Sequence, residues 1–137
     1  MIWLLDTNIF IPALNGRPEI RAKLNEASGA GEVVTSVLVL GELLYGARCS
    51  RRSTENLKAV ELELSRIRVV PLDERIARRA AELKADLRQR GIAKSDIDLL
   101  IATTALDLGA TLVTDDGALL AGDIEGLVVE DWLQSKP

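Results

Sequence analysis

Four acidic residues, Asp6, Glu42, Asp98 and Asp116, each adjoin an apolar run, and the chain contains no histidine. Ile2-Trp3-Leu4-Leu5 precedes Asp6, Val37 to Leu40 precedes Glu42, Leu99 to Ala102 follows Asp98, and Thr111 to Thr114 precedes Asp116. A carboxylate beside a buried segment is costly unless it is paired, hydrogen-bonded or bound to a cation. Several such groups together match the oxygen-rich, octahedral preference of magnesium and manganese. A bound cation makes a coordinated water easier to deprotonate and neutralises charge building on a phosphodiester. The chemistry expected of this set is therefore hydrolysis by metal-activated water. Without histidine, neither a histidine acid-base ribonuclease nor a Ser-His-Asp hydrolase can be built. A structural zinc site is equally short of ligands, because Cys49 is the one cysteine.

Each acid also has a local alternative. Aspartate after a strand, as in Leu5-Asp6-Thr7-Asn8, commonly makes a turn or caps a helix. Glu42 is harder to assign to solvent, because its helical neighbours are Leu38, Val39, Tyr45 and Gly46. It is expected to point into a specific site. Asp98 shares a helical stripe with Ile101, Ala102 and Ala105, suited to packing on a sheet. Asp96 aligns with Leu99, Leu100, Thr103 and Asp107, close enough to the helix start to serve as a cap. Asp98 is accordingly assigned to the site and Asp96 to capping. One of Asp115 and Asp116 belongs to a turn, and local sequence does not choose between them.

The elements that must position these acids follow from periodicity. Short apolar runs alternate with longer segments of helical period, which predicts βαβ units and a parallel sheet. Strands are expected at Ile2 to Leu5, Glu32 to Thr35, Val69 to Leu72, Thr111 to Thr114 and Leu127 to Val129. Pro71 keeps the third at a sheet edge. Pro18 starts a helix that the Gly29/Gly31 pair stops, and Ser36 caps one running to about Arg48. Leu57, Val60, Leu64 and Ile67 form one apolar stripe, and Ile76, Ala80, Leu83 and Leu87 another. Gly91 ends the long basic helix, Ser95 or Asp96 caps the next, and that one runs to Gly109. The predicted order is β-α-α-β-α-α-β-α-α-β-α-β. Parallel sheets place ligand sites beyond the carboxyl ends of their strands, so this order gathers the four acids at one edge.

At 137 residues the chain is read as one domain, 1–137, with 47% hydrophobic residues to form its core. No apolar run reaches the roughly 18 residues that span a bilayer, and no signal-peptide pattern is seen. A single cysteine suits a reducing cytoplasm, which is the expected location. The net charge of −4 hides an uneven distribution. Residues 43–94 carry thirteen basic against seven acidic side chains, and residues 95–137 one against nine. A metal site beside a polyanion-binding surface has this pattern. Phosphate-contact candidates are Arg48, Arg51 and Arg52 after the Glu42 helix, with Arg75, Arg78, Arg79, Lys84, Arg88, Arg90 and Lys94 nearer Asp98. Aromatics are limited to Trp3, Phe10, Tyr45 and Trp132, so recognition of a nucleic acid is expected through shape and backbone.

Leu5-Asp6-Thr7-Asn8, the segment from Thr35-Ser36 through Gly41-Glu42-Leu43 to Tyr45-Gly46, Asp98-Leu99-Leu100-Ile101-Ala102, and Leu112-Val113-Thr114-Asp115-Asp116 occur in this order. Together they resemble a PIN-domain ribonuclease, and more narrowly the toxin of bacterial VapBC toxin-antitoxin pairs. The resemblance covers essentially the whole chain. It implies a PIN-like three-layer α/β/α sandwich around a mainly parallel sheet of about four to five short strands. It implies a Mg2+- or Mn2+-dependent endoribonuclease acting on structured RNA, tRNA or rRNA. It also implies a homodimer restrained by a VapB-type antitoxin, in a heterotetramer or larger assembly, the antitoxin inserting a C-terminal segment into the active-site groove. Matching to the family places the third acid at Asp98 and the fourth at Asp116, with Asp6 and Glu42 as the first two. It gives Thr7, Asn8, Ser36 and Thr114 the task of orienting carboxylates or water. Family members often carry a basic residue where this chain has Asp115. Two competing readings are a catalytically silent PIN-like module that binds RNA or protein, and phosphotransfer at Asp6. The second is disfavoured by Asn8, which stands where haloacid-dehalogenase-type phosphatases resemble Asp-x-Asp.

Overall fold

Strands buried on both faces read as continuous apolar runs rather than alternating ones. This explains why β1 (Ile2–Leu5) buries Trp3, Leu4 and Leu5 together, and why β4 (Thr111–Val113) is buried throughout. The computed structural model describes residues 1–133. Residues 134–137, which the one-domain expectation includes, lie outside the described residues. After β1 come α1 (Thr7–Leu14), α2 (Pro18–Ala30), β2 (Glu32–Ser36), α3 (Val37–Arg48), α4 (Ser53–Leu64) and β3 (Arg68–Val70). Then follow α5 (Glu74–Gln89), α6 (Asp96–Leu108), β4, α7 (Gly117–Leu120) and β5 (Val128–Glu130). The element order is the one expected.

All four strand pairs are parallel, in the order β3-β2-β1-β4-β5. Leu4 of β1 stands in register with Val34 of β2 and Leu112 of β4, and all three are fully buried. The chain moves outward from β1 through β2 to β3, then crosses to β4 and β5 on the other side. Right-handed crossovers therefore put α1 to α4 on one face and α5 to α7 on the other. The packing agrees: α1 meets α2, α3 and α4, α5 packs on α6, and α6 on α7. The result is the three-layer α/β/α sandwich. No helix among the described residues is long and apolar enough to cross a membrane.

Boundaries moved by one or two residues at the two edge strands. β3 is Arg68–Val70 rather than Val69 to Leu72, because Pro71 has no N–H to continue the ladder. β5 is Val128–Glu130 rather than Leu127 to Val129, its register set by β4. Ser95, not Asp96, caps α6: its hydroxyl accepts from the Asp98 N–H at 3.1 Å. Asp96 is exposed and pairs instead with Lys84 at 2.8 Å.

Gly31 follows α2 and immediately precedes β2, where its backbone passes close to the start of β1. A Cβ at this position would collide with the Met1 carbonyl oxygen, which also accepts the Glu32 N–H, and would lie 3.1 Å from the Trp3 ring. Gly31→Ala is expected to destabilise the protein by about 1–3 kcal/mol through forced backbone displacement, read by urea unfolding. An unchanged midpoint would show that the two strands separate freely here.

Candidate active site

The order β2-β1-β4 places a topological switch point at β1, where an open α/β sheet forms its ligand crevice. Asp6 follows β1 at this point and caps α1. Its Oδ1 accepts the Thr7 N–H at 2.8 Å. Its Oδ2 accepts the Thr114 hydroxyl at 2.8 Å, from the residue that follows β4. Capping and site membership are thus compatible for Asp6, because the cap fixes the direction of the carboxylate. Asp6 is buried, and burial raises its pKa above the ordinary 3.8. The Thr114 and Thr7 hydrogen bonds oppose that rise, and the negative charges of Asp98 and Asp116 reinforce it.

Thr114 is the hub of this arrangement. Its hydroxyl donates to Asp6 and accepts from Asn8 Nδ2 at 3.3 Å and from the Asp116 N–H at 3.1 Å. Asn8 Oδ1 accepts the Asp115 N–H at 3.4 Å. Asp116 caps α7, its Oδ1 accepting the Ala118 N–H at 2.9 Å, and it is half-buried while Asp115 is exposed. Asp98 lies in the first turn of α6, half-buried, ahead of the buried Ile101, Ala102 and Ala105. Ser36 is fully buried and caps α3 by accepting the Leu38 N–H at 3.1 Å. Thr7 Oγ1 is buried with no hydrogen-bond partner among the described residues.

Glu42 faces a groove that it shares with Thr7, the residue after Asp6. It is exposed, and the groove, of about 330 Å3, is also lined by Ile11, Leu14, Leu43 and Ala47. Of the apolar neighbours that pointed Glu42 inward, only Gly46 lines this groove, while Val39 is buried in the core and Tyr45 is exposed. The groove left no signal in the sequence, because Ile11, which is 59% exposed, reads there as one more apolar helix residue. Asp98 and Asp116 are each close enough to act on the charge of Asp6, yet among the described residues no three acidic or cysteine side chains form a closed metal cluster. Donor type nevertheless fits a hard cation. The charges of Asp98 and Asp116 act on a buried Asp6 at a strand-end crevice, and the next residue, Thr7, carries an orphaned hydroxyl.

The basic candidates differ in their partners. Arg48, Arg51 and Arg88 are exposed and carry no ion pair among the described residues. Arg52 reaches Glu55 at 3.7 Å, and Arg78 reaches Glu74 at 3.1 Å, in surface pairs of little energetic weight. Arg75 and Arg79 both hold Asp107, at 2.8 and 3.0 Å, joining α5 to α6. Lys94 does not belong with these candidates. Its side chain is 3% exposed and paired with Asp123 at 2.9 Å, so it is not a free phosphate contact.

The sequence profile of the PIN domain matches residues 3–123. This chain belongs to the PIN-domain family. It is similar to ribonuclease VapC2 of Rickettsia felis, 33% identical over 96% of this chain and 98% of the relative. It is also similar to a tRNA(fMet)-specific endonuclease VapC of Shigella flexneri, 32% identical over 95% and 97% of the two chains. Among solved structures it is similar to VapBC2 of Rickettsia felis, bound to a DNA fragment from its promoter. That match has a TM-score of 0.88 and 32% identity, covering 96% of this chain and 99% of the other. PIN-family nucleases are generally metal-dependent. The relatives' names describe nucleases, and this PIN domain has the α/β architecture of the VapBC structures.

Proposed function

We propose that this PIN domain is a VapC-type toxin: an endoribonuclease that hydrolyses phosphodiester bonds of structured RNA, with Asp6, Glu42, Asp98 and Asp116 holding Mg2+, or Mn2+ in its place. One observation carries the reading. A buried Asp6 at the switch point is opposed by two neighbouring carboxylates, an arrangement that a cation would relieve. When bound, such an ion supplies an activated water and neutralises charge on the phosphodiester. The protein's own part is orientation. Thr7 and Thr114 hold Asp6, Asn8 and Thr114 hold the turn bearing Asp116, and Ser36 starts the helix that carries Glu42. Arg48, Arg51, Arg52, Arg78, Arg79 and Arg88 attract the phosphate backbone, a salt-dependent and largely sequence-independent role.

The apolar groove beside Glu42 receives a segment of a cognate VapB-type antitoxin, placing inhibition next to the acids. Two similar structures are of VapBC bound to DNA, which supports this partner. The protein acts in the cytoplasm as a single domain and a homodimer, in a heterotetramer or larger complex with the antitoxin. Its substrate class is tRNA or rRNA, and the Shigella flexneri relative's name favours tRNA.

The test is cleavage of total tRNA and rRNA with Mg2+, with and without EDTA, by the wild type and Glu42→Gln. EDTA is expected to stop cleavage. The variant is expected to lose roughly 10–100-fold while melting normally, since Glu42 is exposed. EDTA-resistant cleavage would overturn the metal role, and undiminished cleavage by Glu42→Gln would remove that residue from the site. Metal binding without cleavage of any RNA would instead favour a catalytically silent module.

A further inference from the structure

Of the thirteen basic residues in the middle of the chain, Lys94 is the one whose side chain is buried in an ion pair. A buried ammonium must have its donors satisfied. Lys94 Nζ meets Asp123 Oδ1 at 2.9 Å and donates to the Ala118 carbonyl of α7. Arg90 reinforces the contact by donating to the Asp123 carbonyl at 2.8 Å. The connection between α5 and α6 is thereby fastened to α7 and the loop after it.

Both ends of this tether carry a site acid. Next to Lys94, Ser95 accepts the Asp98 N–H at 3.1 Å. On the far side, Ala118, whose carbonyl receives Lys94, gives its own N–H to Asp116 at 2.9 Å. An unbroken path of short contacts therefore runs from Asp98 through Ser95, Lys94 and Ala118 to Asp116. We infer that Lys94 is a positioning residue that sets the separation of the Asp98 and Asp116 carboxylates and through it the affinity for a divalent cation. The inference rests on the metal-dependent reading above.

The sign of the effect separates positioning from simple charge. Removing a cation near acids should, on electrostatics alone, tighten metal binding. Loss of the tether should weaken it, since groups that orient metal ligands are worth roughly 10–100-fold in affinity. The experiment titrates Mn2+ into the protein without RNA and follows free Mn2+ by electron paramagnetic resonance. Lys94→Met is expected to bind about tenfold more weakly than wild type. Lys58→Met, which removes the same charge from an exposed site on α4, should bind as wild type does. The double variant Lys94→Met/Asp123→Leu replaces the pair with apolar groups and should recover thermal stability lost by the single variant. Its Mn2+ affinity should stay low, because Ala118 remains untethered. Unchanged or tighter binding by Lys94→Met overturns the inference. If the single variant fails to fold, the double variant decides, and full recovery of its Mn2+ affinity overturns the inference. A wild-type protein that takes up no Mn2+ overturns the metal reading and the inference together.

Discussion

Asp6→Asn is expected to lower single-turnover RNA cleavage by about a thousandfold or more while the fold persists. Metal-based stabilisation of a transition state supplies several kcal/mol, and each 1.4 kcal/mol or so is a factor of ten in rate. The structural cost is smaller. Asn retains the capping oxygen for the Thr7 N–H. Its amide then faces a Thr114 hydroxyl whose acceptor positions already serve Asn8 and Asp116. One hydrogen bond is lost, worth about 1 kcal/mol. Against this, the variant no longer buries a charge beside Asp98 and Asp116. Cleavage within tenfold of wild type would remove Asp6 from the chemistry.

The same substitution has a pH signature in EDTA. Because the folded pKa of Asp6 is raised, the folded state holds this proton more tightly than the unfolded chain does. Stability from the group is complete below its ordinary 3.8 and is lost as pH rises through the higher folded value. Wild type should therefore lose stability relative to Asp6→Asn as pH climbs from about 4, in urea titrations at successive pH values. A gain instead would mean that the hydrogen bonds outweigh burial.

Thr114→Val should have the second-largest effect. It removes the hydroxyl that serves Asp6, Asn8 and the Asp116 backbone together, in a fully buried position. Orphaning buried polar groups costs about 1–3 kcal/mol each, and partial relaxation should leave a net loss of about 2–3 kcal/mol. Activity should fall by roughly 10–100-fold, as for other groups that orient metal ligands. The Thr114 hydrogen bond is also the strongest influence lowering the Asp6 pKa. Without it that pKa rises further, so ionised Asp6 appears only at higher pH. The acid limb of the rate profile should move upward. Thr114→Ser keeps the hydroxyl and should keep the limb near its wild-type position. An unmoved limb in Thr114→Val would show that this hydrogen bond does not control Asp6.

Much of the architecture was legible because local physics governs it. Strands such as Ile2–Leu5 are buried on both faces, so their apolar runs show regardless of partner. Ser36 announces α3 because a hydroxyl ahead of an apolar helix has few other uses. Edge-strand boundaries were less legible, since the neighbour's register decides where pairing ends. Asp96 was misread as a cap because Ser95 and Asp96 are both capable of it. Only the backbone geometry gave Ser95 the task.

By itself, the sequence determined the inventory: four acids beside apolar runs, no histidine, the βα order and a basic middle. The strand order β3-β2-β1-β4-β5 decided the rest, because it sets which distant segments touch. It brought Thr114 onto Asp6, placed Asp98 and Asp116 within reach of that charge, and left Glu42 on a groove. It also buried Lys94 against Asp123 rather than offering it to a substrate. Hydrogen bonds and ion pairs between residues far apart in the chain leave no periodic trace, so only the tertiary structure could assign them.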